Sequence, residues 1–266
     1  MSIQAYRRIL EKRGGSVTKI IITAPCGHMG GLIARAACER DDIQIAGGLG
    51  PAGREYIGKD IGLLTGLGRK IGALVCDDLE QIIHQCDLVV DFSRVEVSME
   101  VLEICKKYKK GFLCGTTGFS EEQEEKILEA GKEIPVMKAA NTSYVVNVMR
   151  KLLGTAAAAL GDKAKIEIIE MHSQTKLDAP SGTALELAEE MVQASDKKDE
   201  DITFHSVRAG DTPSSHKILF GCMGEIMEIS HHAYNWECYA RGACDAAVYM
   251  AGKKAGLYTM EDVIGL

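Results

Sequence analysis

No apolar run in this sequence approaches the roughly 20 residues that a membrane-crossing helix needs, which argues against a membrane protein. A basic excess is missing too. Lys and Arg number 31 against 38 Asp and Glu, a formal charge of −7, whereas phosphate-binding surfaces are normally basic, so nucleic acid is not an expected partner. Prolines are scarce, at five, and no repeat or low-complexity segment is visible. None of the nine cysteines forms a CxxC pair, so clustered soft ligands for zinc are lacking and no metal site is expected. Their odd count fits free thiols in a reducing cytoplasm. The opening segment, MSIQAYRRILEKRGGSVTK, lacks the apolar core of a secretory signal and the serine enrichment of a transit peptide. It reads as a short amphipathic extension ending at a Gly-Gly breaker.

What is present is an ordinary globular composition, 46% hydrophobic and 26% charged, over 266 residues that can bury one large core or two smaller ones. Through the first half, short apolar runs alternate with helical patterns. KIIITA (19–24), IQIAGGLG (43–50), ALVCDD (73–78), CDLVVDF (86–92), GFLCG (111–115) and IPVMKAAN (134–141) read as strands. Between them GGLIARAACER, SMEVLEICKKYKK and SEEQEEKILEAGKE read as helices, the last opened by Ser120 with acids in its first turn. Apolar runs without alternation are strands covered on both faces, which predicts an α/β fold with a doubly wound parallel sheet.

The second half changes character. KIEIIEMH (165–172), ITFHSVRAG (202–210), HKILFGCM (216–223) and EIMEISHHAY (225–234) are closely spaced strands. Two of them alternate as an antiparallel sheet with one wet face does, and the helix ALELAEEMVQAS lies between the first two. The expected division is a dinucleotide-binding domain over residues 1–142 and an α+β domain over 143–237, with the helical stretch in 238–266 packing back on the first.

TAPCGHMGG (23–31) places Ala24, Gly27 and Gly30 at the spacing of a dinucleotide turn, after a strand and before a helix. Such a turn lets backbone approach a pyrophosphate and points N–H groups at it. Ala24 stands in place of the first glycine, and Pro25 removes one donor. A plain tight strand–helix turn is the alternative. Where an acid should hold ribose hydroxyls at the end of the second strand, Gly50 and Pro51 appear. Arg54 and Lys59 lie just downstream. CGTTGFSEEQ (114–123) and AANTS (139–143) form two more turns at strand C-terminal ends, where ligands of such sheets sit.

EMHSQTKLDAPSGTAL (170–185) gathers a histidine, a lysine and an acid before a helix start. Thr183 with Glu186 fits a capping box, and Pro180 enforces an extended approach. The N–H groups around Ser181, Gly182 and Thr183 make an anion site that His172 and Lys176 face, and a cation beside bound carboxylates stays protonated and can donate. The bland alternative is a capped helix after a polar loop, with His172 a structural ring.

This segment resembles the E-x-H-H-x-x-K-x-D-A-P-S-G-T-A signature of the dihydrodipicolinate (4-hydroxy-tetrahydrodipicolinate) reductase family of lysine biosynthesis. CGHMG, DFSRVEVSMEVLEIC, CGTTGF, AANTSYVVNVM, VRAGDTPSSH and MEISHHA…YARGA extend the likeness over most of the chain. The resemblance implies a Rossmann-type domain, an α+β substrate and oligomerisation domain, a homotetramer, NADPH or NADH as cofactor, and a small dicarboxylate imine as substrate. It assigns acid/base catalysis to His172 and proton donation to Lys176, and substrate contacts to Gly182, Thr183 and the position of Ser173. Cofactor contacts fall on Ala24, Pro25, Cys26, Gly27, His28 and Met29, on Gly115, Thr116 and Thr117, and on Ala139, Ala140, Asn141 and Thr142. The chain departs from the family at Ser173, which replaces a second histidine, at Ala24-Pro25, at Gly50-Pro51, and in the short stretch DKKDEDITFHS. These departures keep two further readings open: a reductase of another cyclic imine or unsaturated imino acid, and a catalytically silent binding protein on the same scaffold.

Overall fold

The computed structural model describes residues 17–265, so the amphipathic extension expected ahead of the Gly-Gly breaker lies outside the described residues. The chain forms two compact units. One runs to Met137 and takes in Cys244–Leu257; the other comprises Lys138–Ala243 and Tyr258–Leu266.

In the first unit the elements follow as β1 (Thr18–Thr23), α1 (His28–Cys38), β2 (Ile43–Leu49), α2 (Ile61–Leu64), β3 (Val75–Cys76), β4 (Leu88–Asp91), α3 (Val95–Tyr108), β5 (Gly111–Cys114), α4 (Glu121–Ala130) and β6 (Pro135–Lys138). A late strand, β11 (Gly256–Tyr258), joins them in a seven-stranded sheet of order β11-β6-β5-β4-β1-β2-β3. β1 pairs in parallel with β2 and β4, β2 with β3, and β4 with β5. The consecutive residues Ile20, Ile21 and Ile22 are each 0% exposed, which is what two covered faces require. This is the doubly wound sheet expected from the sequence. Its order reverses between β1 and β4, and the crevice at such a switch point is where ligands bind. Ser120 caps α4 in a full capping box with Gln123.

The second unit carries α5 (Tyr144–Leu160), β7 (Lys165–His172), α6 (Gly182–Gln193), β8 (Ile202–Arg208), β9 (Ser214–Cys222), β10 (Glu225–Ala233) and α8 (Met260–Ile264). Its sheet has the order β10-β9-β7-β8. β9 pairs antiparallel with both β10 and β7, but β7 and β8 run parallel. The antiparallel pattern that alternation suggests holds for the pairs of β9, while at β7 and β8 the intervening α6 forms a crossover that returns the chain in the same direction. The long helix α5, opened by Ser143, has its own signal: Val146, Met149, Leu153 and Ala157 are buried at helical spacing. With Leu187 and Met191 of α6 they cover Ile166, Ile168, Ile218 and Phe220 of the sheet.

The helix α7 (Glu237–Met250) starts within the second unit's residues and ends within the first's. Arg40 lies 2.6 Å from Asp245, which ties the later stretch into the first unit. Near its start, a Cβ placed on Gly242 would lie 1.7 Å from the Thr142 carbonyl oxygen. Gly242→Ala is therefore expected to destabilise the protein by about 2 kcal/mol or more, through backbone that has to shift; urea unfolding measures it.

Candidate active site

β7 alternates by strand period, so Ile166, Ile168, Glu170 and His172 share the face covered by helices. The face is apolar at its start and polar at its end. Glu170 is 0% exposed, and Arg208 grips it with both terminal nitrogens, at 2.7 and 2.9 Å. His172, also buried, joins the same carboxylate through Nδ1 in a short contact. Burial pushes the Glu170 carboxyl up, but hydrogen bonds from Arg208, Ser206 and His172 outweigh it and hold it below its usual range. Burial also lowers the pKa of His172; Glu170 opposes that, while Lys176 and Arg208 add to it.

Strand register continues the cluster. Ser206 and His216 flank Glu170 on either side, and His231 lies beyond His216. The His216 ring meets His172 edge-on at 5.3 Å between centroids and stacks with His231 at 6.2 Å. Nδ1 of His216 and of His231 has no hydrogen-bond partner, as a neutral imidazole's lone pair permits. Burial, helped by His172 and His231, takes the His216 pKa down to about 3.

After β7 the chain enters the loop that carries Lys176. The Lys176 ammonium lies 2.8 Å from Asp178, and Arg208 donates to the Asp178 backbone carbonyl. Burial raises the Asp178 pKa, but contacts with Lys176 and with the Gly182 N–H bring it below the usual value. Ser173 Oγ pairs with Thr175 Oγ1 at 2.7 Å, so the residue in the second histidine's place is satisfied within its own loop.

The expected Thr183–Glu186 capping box does not form. Ser181, extended and buried, is the N-cap; its side chain accepts from the Ala184 N–H, and the helix begins at Gly182. Freed from capping, the Thr183 hydroxyl accepts from Asn141 Nδ2 at 3.0 Å. A Cβ on Gly182 would meet nothing within 4 Å, so the space beside this helix start is open.

In the first unit Ala24 has φ 45°, a left-handed conformation that costs a non-glycine residue about 1 kcal/mol. A Cβ on Gly30 would lie 2.2 Å from the Ala24 carbonyl oxygen, so α1 starts hard against the turn. Its N-cap, Gly27, offers no side-chain cap, which leaves the first N–H groups for a ligand. A cleft of about 470 Å³ is lined by Met29, Phe92, Ser93, Gly115, Thr116 and Thr117. These features fit a dinucleotide: a tight glycine turn, an uncapped helix start and a cleft at the sheet's C-terminal edge. At Gly50 a Cβ would lie 2.8 Å from the Tyr56 ring, so that ring fills the space where a ribose-binding acid would begin.

The comparisons with known proteins agree with this architecture. The family description "Dihydrodipicolinate reductase, N-terminus" matches residues 18–142, and "Dihydrodipicolinate reductase, C-terminus" matches 145–264. The chain belongs to the dihydrodipicolinate reductase family. It is 36% identical to the 4-hydroxy-tetrahydrodipicolinate reductase of Hahella chejuensis and 38% identical to that of Geobacter sulfurreducens, each match covering 94% of this chain and 100% of the relative. Its fold matches that of the dipicolinate-bound dihydrodipicolinate reductase from Paenisporosarcina sp. TG-14, with a TM-score of 0.76 at 23% identity over 94% of this chain and 100% of that one. An amine dehydrogenase from Mycobacterium smegmatis shares the fold at a TM-score of 0.69 and 13% identity, covering 93% of this chain and 96% of that one.

Among the site positions expected of a dihydrodipicolinate reductase, the second unit contains His172, Ser173, Lys176, Gly182 and Thr183 together with Ala139, Ala140, Asn141 and Thr142. The first unit contains Ala24, Pro25, Cys26, Gly27, His28 and Met29, and the cleft joins Met29 to Gly115, Thr116 and Thr117. Glu170, Arg208, His216 and His231 were not singled out from the sequence. Glu170 shares His172's face of β7 two residues away, and strand register brings Arg208, His216 and His231 to them.

A buried histidine kept neutral in the fold contributes stability that is complete above its ordinary value of 6.5 and is lost as pH falls toward 3. His216→Phe keeps a ring in place and is expected to flatten the fall of unfolding free energy across that window. Urea unfolding at a series of pH values checks this.

Proposed function

We propose that this chain is an NADPH- or NADH-dependent reductase that converts 4-hydroxy-tetrahydrodipicolinate to tetrahydrodipicolinate in the lysine and diaminopimelate route. One observation carries the reading beyond family membership: the imidazole of His172 and the loop of Lys176 are held by the same Glu170–Arg208 pair beside an open helix start.

Ala24, Pro25, Cys26, Gly27, His28 and Met29, with Gly115, Thr116 and Thr117, would hold the nucleotide in the first unit; the family resemblance adds Ala139, Ala140, Asn141 and Thr142 as nucleotide contacts. When bound, the nucleotide supplies the hydride; the chain's own residues bind, orient and move protons. His172 Nδ1 is committed to Glu170, which leaves Nε2 to exchange a proton with substrate. Lys176 is the proton donor. The N–H groups of Gly182 and Thr183 take a substrate carboxylate at the helix's positive end. Ser173 offers a hydroxyl, where the family pattern has an imidazole.

The Ser173–Thr175 contact favours a second reading, a reductase of another cyclic imine, because one donor to a dicarboxylate is turned inward. Turnover with freshly made 4-hydroxy-tetrahydrodipicolinate separates the two. We also infer a cytoplasmic homotetramer. Among the described residues no helix is long and apolar enough to cross a membrane. Val207 and Ile226 stay exposed on the face of the second unit's sheet opposite Ile166 and Ile168, which suits a subunit contact.

Lys176→Ala is expected to lower kcat by about 100-fold or more while nucleotide Kd stays within about twofold. Steady-state nucleotide oxidation and calorimetric titration measure the pair; full turnover in the variant would remove Lys176 from the mechanism.

A further inference from the structure

Four hydroxyl groups and a thiol from separate parts of the first unit converge on one carboxylate. Asp91, the last residue of β4, is 0% exposed. Its Oδ1 accepts from Thr23 Oγ1 and from Ser93 Oγ, both at 2.6 Å. Its Oδ2 accepts from Ser98 Oγ in a short contact, from Thr116 Oγ1 at 3.3 Å and from Cys114 Sγ at 3.7 Å.

The donors are placed with a pattern. Thr23 ends β1, one residue before the glycine turn; Ser93 lies in the loop from β4 into α3; Thr116 lies in the turn after β5. Thr23 Oγ1 also accepts from the Phe92 backbone N–H at 3.2 Å. The Phe92 ring in turn lies over Gly115, where a Cβ would come within 2.1 Å of it. Phe92, Ser93, Gly115 and Thr116 are walls of the 470 Å³ cleft. One side chain therefore secures three segments around the sheet's switch point.

A carboxyl group without water is a costly way to fasten loops that apolar packing could hold. Its cost is understandable where a cleft has to be in shape before its ligand arrives, because ordering loops during binding subtracts from affinity. We propose that Asp91 is a positioning residue for the nucleotide: it fixes the turn after β1, the loop after β4 and the turn after β5 at the spacing the dinucleotide cleft needs. The proposal rests on the nucleotide-dependent reading given above.

Calorimetric titration of the full chain with NADPH and with NADH, beside steady-state kinetics, tests it. Asp91→Asn keeps the size of the side chain but replaces an oxygen acceptor by an NH2 donor. It is expected to raise nucleotide Kd and KM by about tenfold or more and leave kcat within about twofold. Ile127→Val, a buried change in α4 of the same unit, is the stability control: a lowered thermal midpoint with wild-type Kd. Asp91→Asn that is folded and binds nucleotide as tightly as wild type overturns the proposal, because the cluster then only stabilises the unit. Should that variant not fold, Thr23→Val removes one donor without changing volume; unchanged Kd there overturns it equally. If wild type itself binds neither nucleotide, the reading underneath falls, an outcome separate from a wild type that binds and an Asp91→Asn that binds alike.

Discussion

A carboxylate shut away from water keeps its charge only when neighbours replace the water, and at Glu170 they do. Arg208 supplies two coplanar donors and His172 a ring nitrogen. The same guanidinium reaches the Asp178 carbonyl, so one ion pair sets both the imidazole and the loop beside it. Removing one member of such a buried pair typically costs about 3–5 kcal/mol, because the other charge is left uncompensated. The site is therefore as rigid as the pairing of β7 with β8, and the parallel crossover through α6 puts the helix start at the same end of the sheet.

Much of this was legible in the residues. Unbroken apolar runs such as KIIITA announce strands covered on both faces, and the glycine turn names its own place between β1 and α1. The His172–Lys176–Gly182 segment stood out because a titratable ring, an amine and a helix start are rare neighbours. Less visible were contacts set by register. Arg208 is 38 residues from Glu170, and nothing local in VRAGD says which carboxylate it meets. Thr183 looked like the cap because Glu186 stood three residues on; the chain's extended approach made Ser181 the residue whose oxygen reaches back. Alternation marks a sheet with one wet face but does not set the direction of each pair; the helix read between β7 and β8 is what makes that pair parallel. The length of α5 was there to be read in its buried spacing.

The nucleotide half shows how a family pattern can change without losing its shape. Ala24 keeps the left-handed conformation that a glycine would adopt freely, so the turn persists at a small energetic cost. Gly50 is less a gap than a consequence: the Tyr56 ring already fills the volume into which a longer side chain would project. Close by in the chain, Arg54 and Lys59 are exposed cations.

Asp178 gives the substrate side an unusual resting arrangement. Its carboxylate already touches the Lys176 ammonium and the Gly182 N–H, the groups suited to an incoming anion. Under the proposed substrate contacts, an arriving diacid would exchange with a resident ion rather than meet bare positive charge. Net affinity would then be the difference between two similar solvations, and fit, more than charge, would decide which anion stays.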